Sequence, residues 1–238
     1  MEAIVLAGGL GSRLRPIVSD VPKPMAPING CPFLEHLFDY WMDQGVGRFV
    51  LSVGYKHEVI EKHFGNRYQS AEIDYAVEAN PCGTAGGLLL SLPHLRGPGT
   101  FVVMNGDTFF EVKLDAMRRL HRDRQADLTI ALREVESNNR YGGVGVDDQG
   151  RITTFDNRAR TSGRALINGG VYLAEKTAFV GMASEPVGPV SLEEQLYPRM
   201  LVVGRRLYGL LSSGRFIDIG IPEDYHRAAS ILQGLQGD

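Results

Sequence analysis

Apolar residues recur along the chain in short runs separated by amphipathic stretches. Residues 3–6, 49–53, 73–77, 101–104 and 128–132 have the length and apolar continuity of buried parallel strands. Between the first two, Pro32 opens a helical pattern with Phe33, Leu34, Leu37, Phe38, Trp41 and Met42 on one face, and Gly45 closes it. Val59, Ile60 and Phe64 mark a second helix, and residues 84–92 and 114–124 supply two further crossovers. Strands alternating with helices predict an α/β protein: a three-layer, Rossmann-like, mostly parallel sheet covered on both faces. Ligands of such sheets sit beyond the carboxyl ends of the strands.

After about residue 135 the rhythm changes. Residues 144–146 and 152–155 flank Asp147-Asp148-Gln149-Gly150, which reads as a hairpin, and 167–173 is a further strand. Ser191-Leu-Glu-Glu194 has the form of a capping box opening a helix. Residues 207–211 and 216–219 read as strands, and Pro222 opens a last helix to about residue 232. No linker-like or repetitive segment separates the halves. The expectation is one domain over residues 1–238, its second half adding a lobe over the sheet edge.

The polar residues that interrupt this pattern cluster at strand ends. Leu6-Ala7-Gly8-Gly9-Leu10-Gly11-Ser12-Arg13 follows the first strand directly. Glycine lets the main chain approach a ligand with no Cβ in the way, and exposed amides in such a turn form an anion-binding concavity. Ser12, Arg13, Arg15 and Lys23 add donors and positive charge, so the stretch reads as a polyphosphate cradle. It is not the dinucleotide fingerprint, which needs a third glycine and an immediate helix. Leu14 stands where that glycine belongs, and Pro16, Pro22, Pro24 and Pro27 forbid a long helix. Nor does Gly11-Ser12-Arg13 satisfy the Gly-Lys-Ser/Thr of a P-loop. Neither Arg13 nor Lys23 has an evident carboxylate partner nearby in sequence.

Asn105-Gly106-Asp107 ends the 101–104 strand, and Asp218 ends the 216–219 strand. Two carboxylates near a triphosphate suit Mg²⁺, which fills its other positions with phosphate oxygens and water; an aspartate at a strand end also serves as a turn cap. Glu78-Ala-Asn-Pro-Cys-Gly83-Thr84-Ala-Gly86 follows the 73–77 strand and reads as backbone close to a ligand, or as a loop capped by Thr84. The six histidines form no cluster: His57 and His63 are too far apart on one helix to share a metal.

Bulk composition narrows the class. A chain of 238 residues buries roughly 70–75% of its unfolded surface, enough for one substantial domain. With 25 basic and 28 acidic residues, net charge −3, nothing draws it to nucleic acid or an anionic membrane. Arg118, Arg119, Arg122 and Arg124 share one predicted helix as a solvated face. Cys31 and Cys82 lack metal-ligand spacing, and no disulfide is expected; a reducing cytoplasm suits this composition. No signal peptide and no membrane span is expected.

The glycine stretch followed by Val21-Pro-Lys23-Pro-Met25 resembles the signature of the sugar-1-phosphate nucleotidyltransferases, Leu-Ala-Gly-Gly-x-Gly-Ser/Thr-Arg-Leu and then Pro-Lys-Pro. Gly106-Asp107 and Asp218-Ile-Gly220, with Tyr225 beyond, resemble the family's metal-binding segments. The resemblance spans essentially the whole chain, with five motifs in order. It implies the family's GT-A-like fold with a small sugar-binding lobe: a nucleotide-binding half over about 1–135 and a sugar-phosphate half over about 136–238. It further implies Arg13 on the leaving pyrophosphate, Lys23 on the α-phosphate and sugar phosphate, and Asp107 with Asp218 on Mg²⁺. Glu78 matches the residue that reads the nucleobase. Leu6, Ala7, Gly8, Gly9, Gly11, Ser12, Gly83, Thr84 and Asn105 match other nucleotide contacts. Tyr141, Gly142, Gly143, Asn168 and Gly169 match positions that hold the sugar phosphate. Where the family often carries Glu-Glu-Lys-Pro, this chain has Asp156-Asn157-Arg158-Ala159, which leaves Arg158 where lysine usually touches phosphate.

Met25-Ala-Pro-Ile-Asn-Gly30, Leu51-Ser-Val-Gly-Tyr-Lys-His57 and Leu166-Ile-Asn-Gly-Gly-Val-Tyr-Leu173 resemble most the branch that transfers guanylyl groups to a heptose 1-phosphate. That implies a cytoplasmic enzyme with small-molecule partners, an NTP and a sugar 1-phosphate, acting as monomer or homodimer and supplying cell-surface polysaccharide. The alternative within the family is uridylyl or thymidylyl transfer to another sugar 1-phosphate, such as N-acetylmuramate or glucose 1-phosphate. A nicotinamide dehydrogenase would need a helix straight after the glycines. A catalytically silent sensor would lack Lys23 or a metal carboxylate, and all three are present.

Overall fold

The computed structural model describes residues 1–14, 16–138, 141–156, 161–182 and 188–234. In chain order the elements are β1 (Glu2–Leu6), the short β2 (Pro27–Ile28) and β3 (Cys31–Pro32), α1 (Phe33–Met42), β4 (Arg48–Val53), α2 (His57–Phe64), β5 (Arg67–Tyr68), β6 (Ala71–Val77) and α3 (Gly83–Ser91). There follow β7 (Thr100–Asn105), β8 (Thr108–Phe110), α4 (Leu114–Asp123), β9 (Leu128–Asn138), β10 (Gly143–Val146), β11 (Ile152–Asp156) and β12 (Thr161–Glu175). The chain ends with α5 (Tyr197–Val202), β13 (Leu207–Leu211), β14 (Phe216–Asp218) and α6 (Pro222–Ile231).

Strands β6, β4, β1 and β7 lie side by side and all parallel, with Leu6 level with both Ser52 and Asn105. The chain winds outward from β1 in one direction and then returns to place β7 on its other side. A crevice opens where the winding reverses, at the carboxyl ends of β1 and β7. The glycine stretch and Asn105-Gly106-Asp107 both leave the sheet there.

Alternation along β1 sorts the core. Ala3 and Val5 pack beneath α1, with Ile60 and Phe64 of α2, Met117 of α4 and Ala228 of α6 in the same cluster. Ile4 faces the other way, toward Ala85 and Leu88 of α3 and Tyr197 and Met200 of α5. These are the three expected layers. The predicted face of α1 is buried, and Gly45 ends it at φ +91°.

The second half extends the same sheet rather than capping it. β12 inserts antiparallel beside β7 and carries β9 on its other flank, with β13 parallel to β9 beyond. Both β9 and β12 are longer than the apolar runs at 128–132 and 167–173, because their outer ends pair with each other along polar residues. The Asp147–Gly150 hairpin joins β10 to β11 with Gly150 at φ +75°. At Ser191 the side chain accepts from the Glu194 amide at 3.2 Å, as a capping box requires. The return bond comes from Gln195 instead, whose Oε1 accepts from Ser191 N at 2.8 Å, because Leu192–Leu196 is a wider π turn.

Candidate active site

The crevice is a cleft of about 350 Å³. Leu6 to Ser12, Arg13, Glu78, Gly83, Thr84 and Asn105 line it, as do Lys23 and Asp107. Gly11 takes φ +59°, which turns the chain back toward Lys23. The loop closes with Leu14 N donating to Gly11 O at 3.0 Å, and Lys56 Nζ ties its far end by donating to Ser19 O and Asp20 O at 2.7 and 3.1 Å. Arg13 is exposed and, among the described residues, has no carboxylate partner. Arg15 and Arg158 lie outside the described residues.

Lys23 differs from the expectation. Its side chain is only 9% exposed, with Nζ 2.6 Å from Asp107 Oδ2 and 3.6 Å from Asp218 Oδ1. The partners were invisible in sequence because they are far along the chain; a small ribbon brings them together. β14 pairs antiparallel with β8, setting Asp218 opposite Thr108, and Ile219 N donates to Asp107 O at 3.0 Å. Thr108 Oγ1 donates to Asp107 Oδ1 at 3.1 Å, and Gly220 N donates to Asp218 Oδ1 at 2.7 Å. The turn-capping role considered for each aspartate is therefore real for Asp218, and it leaves the carboxylate in the ion pair.

The donor set suits a small hard cation: two carboxylates already converge on one positive charge, the Lys23 ammonium. Among the described residues no third acidic, histidine or cysteine ligand joins them. A cation held here would complete its shell with phosphate oxygens and water, which is Mg²⁺ behaviour.

Glu78 turns into the cleft. Ser52 Oγ donates to its Oε1 at 3.1 Å and Cys82 N to its Oε2 at 3.2 Å. An ionised carboxylate has about four acceptor sites, so each oxygen keeps capacity for a ligand. Gly8 makes this placement possible, since a Cβ there would collide with the carboxylate. Gly87 does the same from α3, where a Cβ would meet Ser52 Oγ and Glu78. Ser52, buried in an apolar strand, and Gly87 were missed in sequence; a lone serine in such a run was the available signal. Burial and the adjacent Glu78 push the Cys82 thiol up to about 12, so it stays protonated. Thr84 does not cap α3. Its hydroxyl accepts from Leu192 N at 2.9 Å, pinning the π turn to the cleft wall.

A smaller neighbouring cleft of about 120 Å³ is lined by Tyr141, Gly142, Gly143, Phe155, Asn168 and Glu193. Gly169 is not part of it. It is buried under Phe110, whose ring a Cβ would strike, so this glycine serves packing. An asparagine side chain can offer a donor and an acceptor to a hydroxyl pair of a sugar. Both amide hydrogens of Asn168 are instead committed, to Tyr172 Oη at 2.7 Å and Glu193 Oε1 at 2.6 Å. Glu193 was missed, because the Ser191–Glu194 pattern drew attention to its neighbour.

The chain is 43% identical over 233 residues to D-glycero-alpha-D-manno-heptose 1-phosphate guanylyltransferase of Aneurinibacillus thermoaerophilus, covering 98% of this chain and 99% of that one. It is 38% identical to the enzyme of the same name from Campylobacter jejuni, over 95% and 97% of the two chains. The crystal structure of HddC from Yersinia pseudotuberculosis complexed with GMP-PN superposes with TM-score 0.79 at 33% identity, covering 96% of this chain and 98% of that one. Residues 2–234 match the nucleotidyl transferase family. The chain belongs to the nucleotidyl transferase family, and it is built as a sugar-1-phosphate nucleotidyltransferase.

Proposed function

We propose that the protein transfers GMP from GTP to a heptose 1-phosphate, D-glycero-α-D-manno-heptose 1-phosphate by likeness to its relatives, releasing pyrophosphate. A phosphate oxygen of the sugar 1-phosphate attacks the α-phosphorus, the α–β bridge bond breaks, and the pyrophosphate leaves with that electron pair. The attacking oxygen is already anionic, so no general base is needed, and the chain's task is positioning and charge neutralisation. The observation that carries this reading is the buried Lys23 between two carboxylates at the foot of a glycine cradle.

The cradle's amides and Arg13 bind the β- and γ-phosphates, and Lys23 exchanges its carboxylates for the α-phosphate. Asp107 and Asp218 would then hold Mg²⁺, which when bound neutralises the triphosphate charge and the departing pyrophosphate. Glu78 selects the base. Guanine presents two adjacent donors, its ring N1–H and exocyclic amine, to an acceptor-only carboxylate, whereas uracil and thymine would set a carbonyl oxygen against it. Hydrogen bonds to a charged group contribute about 1.5–3 kcal/mol, so Glu78 favours GTP over UTP by roughly ten- to a hundredfold. The product fits activated-sugar supply for cell-surface polysaccharide in the cytoplasm.

The test is pyrophosphate release by wild type and Glu78→Gln with four NTPs and several sugar 1-phosphates. The expected result is GTP preference in the wild type, shrinking in the variant. A wild-type preference for UTP or dTTP, or an unchanged ratio in the variant, refutes base selection by Glu78.

A further inference from the structure

Glu193 enters the smaller cleft from the π turn at Leu192–Leu196. Among the described residues its one hydrogen-bond partner is Asn168 Nδ2, at 2.6 Å, and no lysine or arginine pairs with it. That amide cannot adjust to a different ligand. Tyr172 Oη takes its second hydrogen at 2.7 Å, and Gly170 N donates to its Oδ1 at 3.0 Å. Asn168 is therefore a fixed support, and Glu193 is the group left with spare capacity.

A carboxylate has about four acceptor sites, and burying one with a single neutral donor is costly. Its charged neighbours do not help: burial, with Glu194, Asp107 and Asp218, raises its carboxyl above the ordinary value. The wall around it supplies an aromatic ring, Phe155, and the side-chain-free Gly142 and Gly143. A ligand complementary to this wall carries hydroxyl donors and a C–H face. A phosphate does not fit against Glu193 itself, whose carboxylate has no lysine or arginine paired with it among the described residues to offset the repulsion. The smaller cleft thus suits the ring of a sugar phosphate.

We propose that Glu193 is a substrate-binding carboxylate that accepts hydrogen bonds from ring hydroxyls of the sugar 1-phosphate and so selects the sugar. The inference rests on the nucleotidyl-transfer reading and deepens it. The two clefts adjoin through Thr84, which holds Leu192 N, and through Asn105, which packs on Gly170. A sugar on Glu193 can therefore direct its phosphate toward Lys23.

The experiment compares wild type, Glu193→Gln and Glu193→Asp for KM of GTP and KM of D-glycero-D-manno-heptose 1-phosphate and mannose 1-phosphate. Thermal unfolding of each protein is measured alongside. The glutamine is isosteric and still accepts from Asn168. It should raise the sugar-phosphate KM on the order of 10- to 100-fold while leaving the GTP KM within about twofold. The aspartate keeps the charge on a shorter arm, so it should recover part of the sugar KM; should the glutamine variant not fold, a raised sugar KM with unchanged GTP KM in the aspartate variant supports the same conclusion. An unchanged sugar KM in a folded Glu193→Gln protein, or both KMs rising together, overturns the proposal alone. A wild type that turns over no sugar 1-phosphate overturns the functional reading and this inference with it.

Discussion

Removing the Lys23 ammonium would take away the positive charge that Asp107 and Asp218 share and leave their like charges less compensated. Lys23→Ala should lower kcat on the order of 10²–10³-fold, more than it raises the KM for GTP, since charge shifts on the phosphates only as the bond breaks. In the nucleotide-free protein the same substitution should tighten Mn²⁺ binding, because the competing cation is gone; titration followed by electron paramagnetic resonance reads this directly. Unaltered kcat would remove Lys23 from the chemistry. Asp107→Asn and Asp218→Asn should each cost about 10²–10³ in rate with the fold intact, and activity in EDTA equal to that in Mg²⁺ would refute the metal role. Gly8→Ala adds one methyl against Glu78. Circular dichroism should be unchanged while the GTP-over-UTP preference falls; a preserved preference would show that Glu78 does not need that gap.

At the scale of elements, the β8–β14 ribbon sets the Asp107–Asp218 pair, and the Glu111–Arg215 contact locks its end. Arg215 Nε donates to Glu111 Oε2 at 3.0 Å, and Glu111 N donates to Arg215 O at 2.8 Å. The Arg215 hydrogen bond is the largest influence on the Glu111 carboxyl and holds it below its ordinary value of 4.5. A group more readily ionised in the folded state contributes stability above its unfolded pKa and loses it as pH falls through the folded one. Glu111→Gln should therefore cost about 1 kcal/mol at pH 7, allowing for screening of this partly exposed pair. The difference should shrink as pH falls from about 4.5 through the lower folded-state pKa, below which the wild-type carboxyl is protonated in the folded protein too. Denaturant melts at two pH values check both the size and the direction. The ribbon also shows what the sequence withheld. Residues 216–219 read as a strand, but nothing local says that it pairs with Thr108–Phe110. The same holds for Lys23, whose partner Asp107 is 84 positions away. By contrast the strands of the nucleotide half were legible, because burial on both faces writes itself as an apolar run.

Across the whole molecule, the parallel half supplies the cradle, Glu78 and Asp107, while the later half returns to the same end of the sheet with β12, Glu193 and Asp218. The glycines, Arg13, Lys23 and both aspartates were recognisable as motif residues. Glu193 was not, since its meaning depends on the π turn that points it inward and on Asn168 across the cleft. For Gly169 the sequence likewise could not show that the space left by its missing side chain is filled by Phe110. In the proposed nucleotidyl transfer the phosphorus that moves to the sugar phosphate is the α-phosphorus of GTP. Incubation with heptose 1-phosphate and GTP labelled at either the α- or the γ-phosphate tests this most directly. The account predicts α-label in a phosphatase-resistant nucleotide sugar and γ-label wholly in pyrophosphate. Label released from the γ-position as inorganic phosphate, or transferred from it to the sugar, would contradict nucleotidyl transfer.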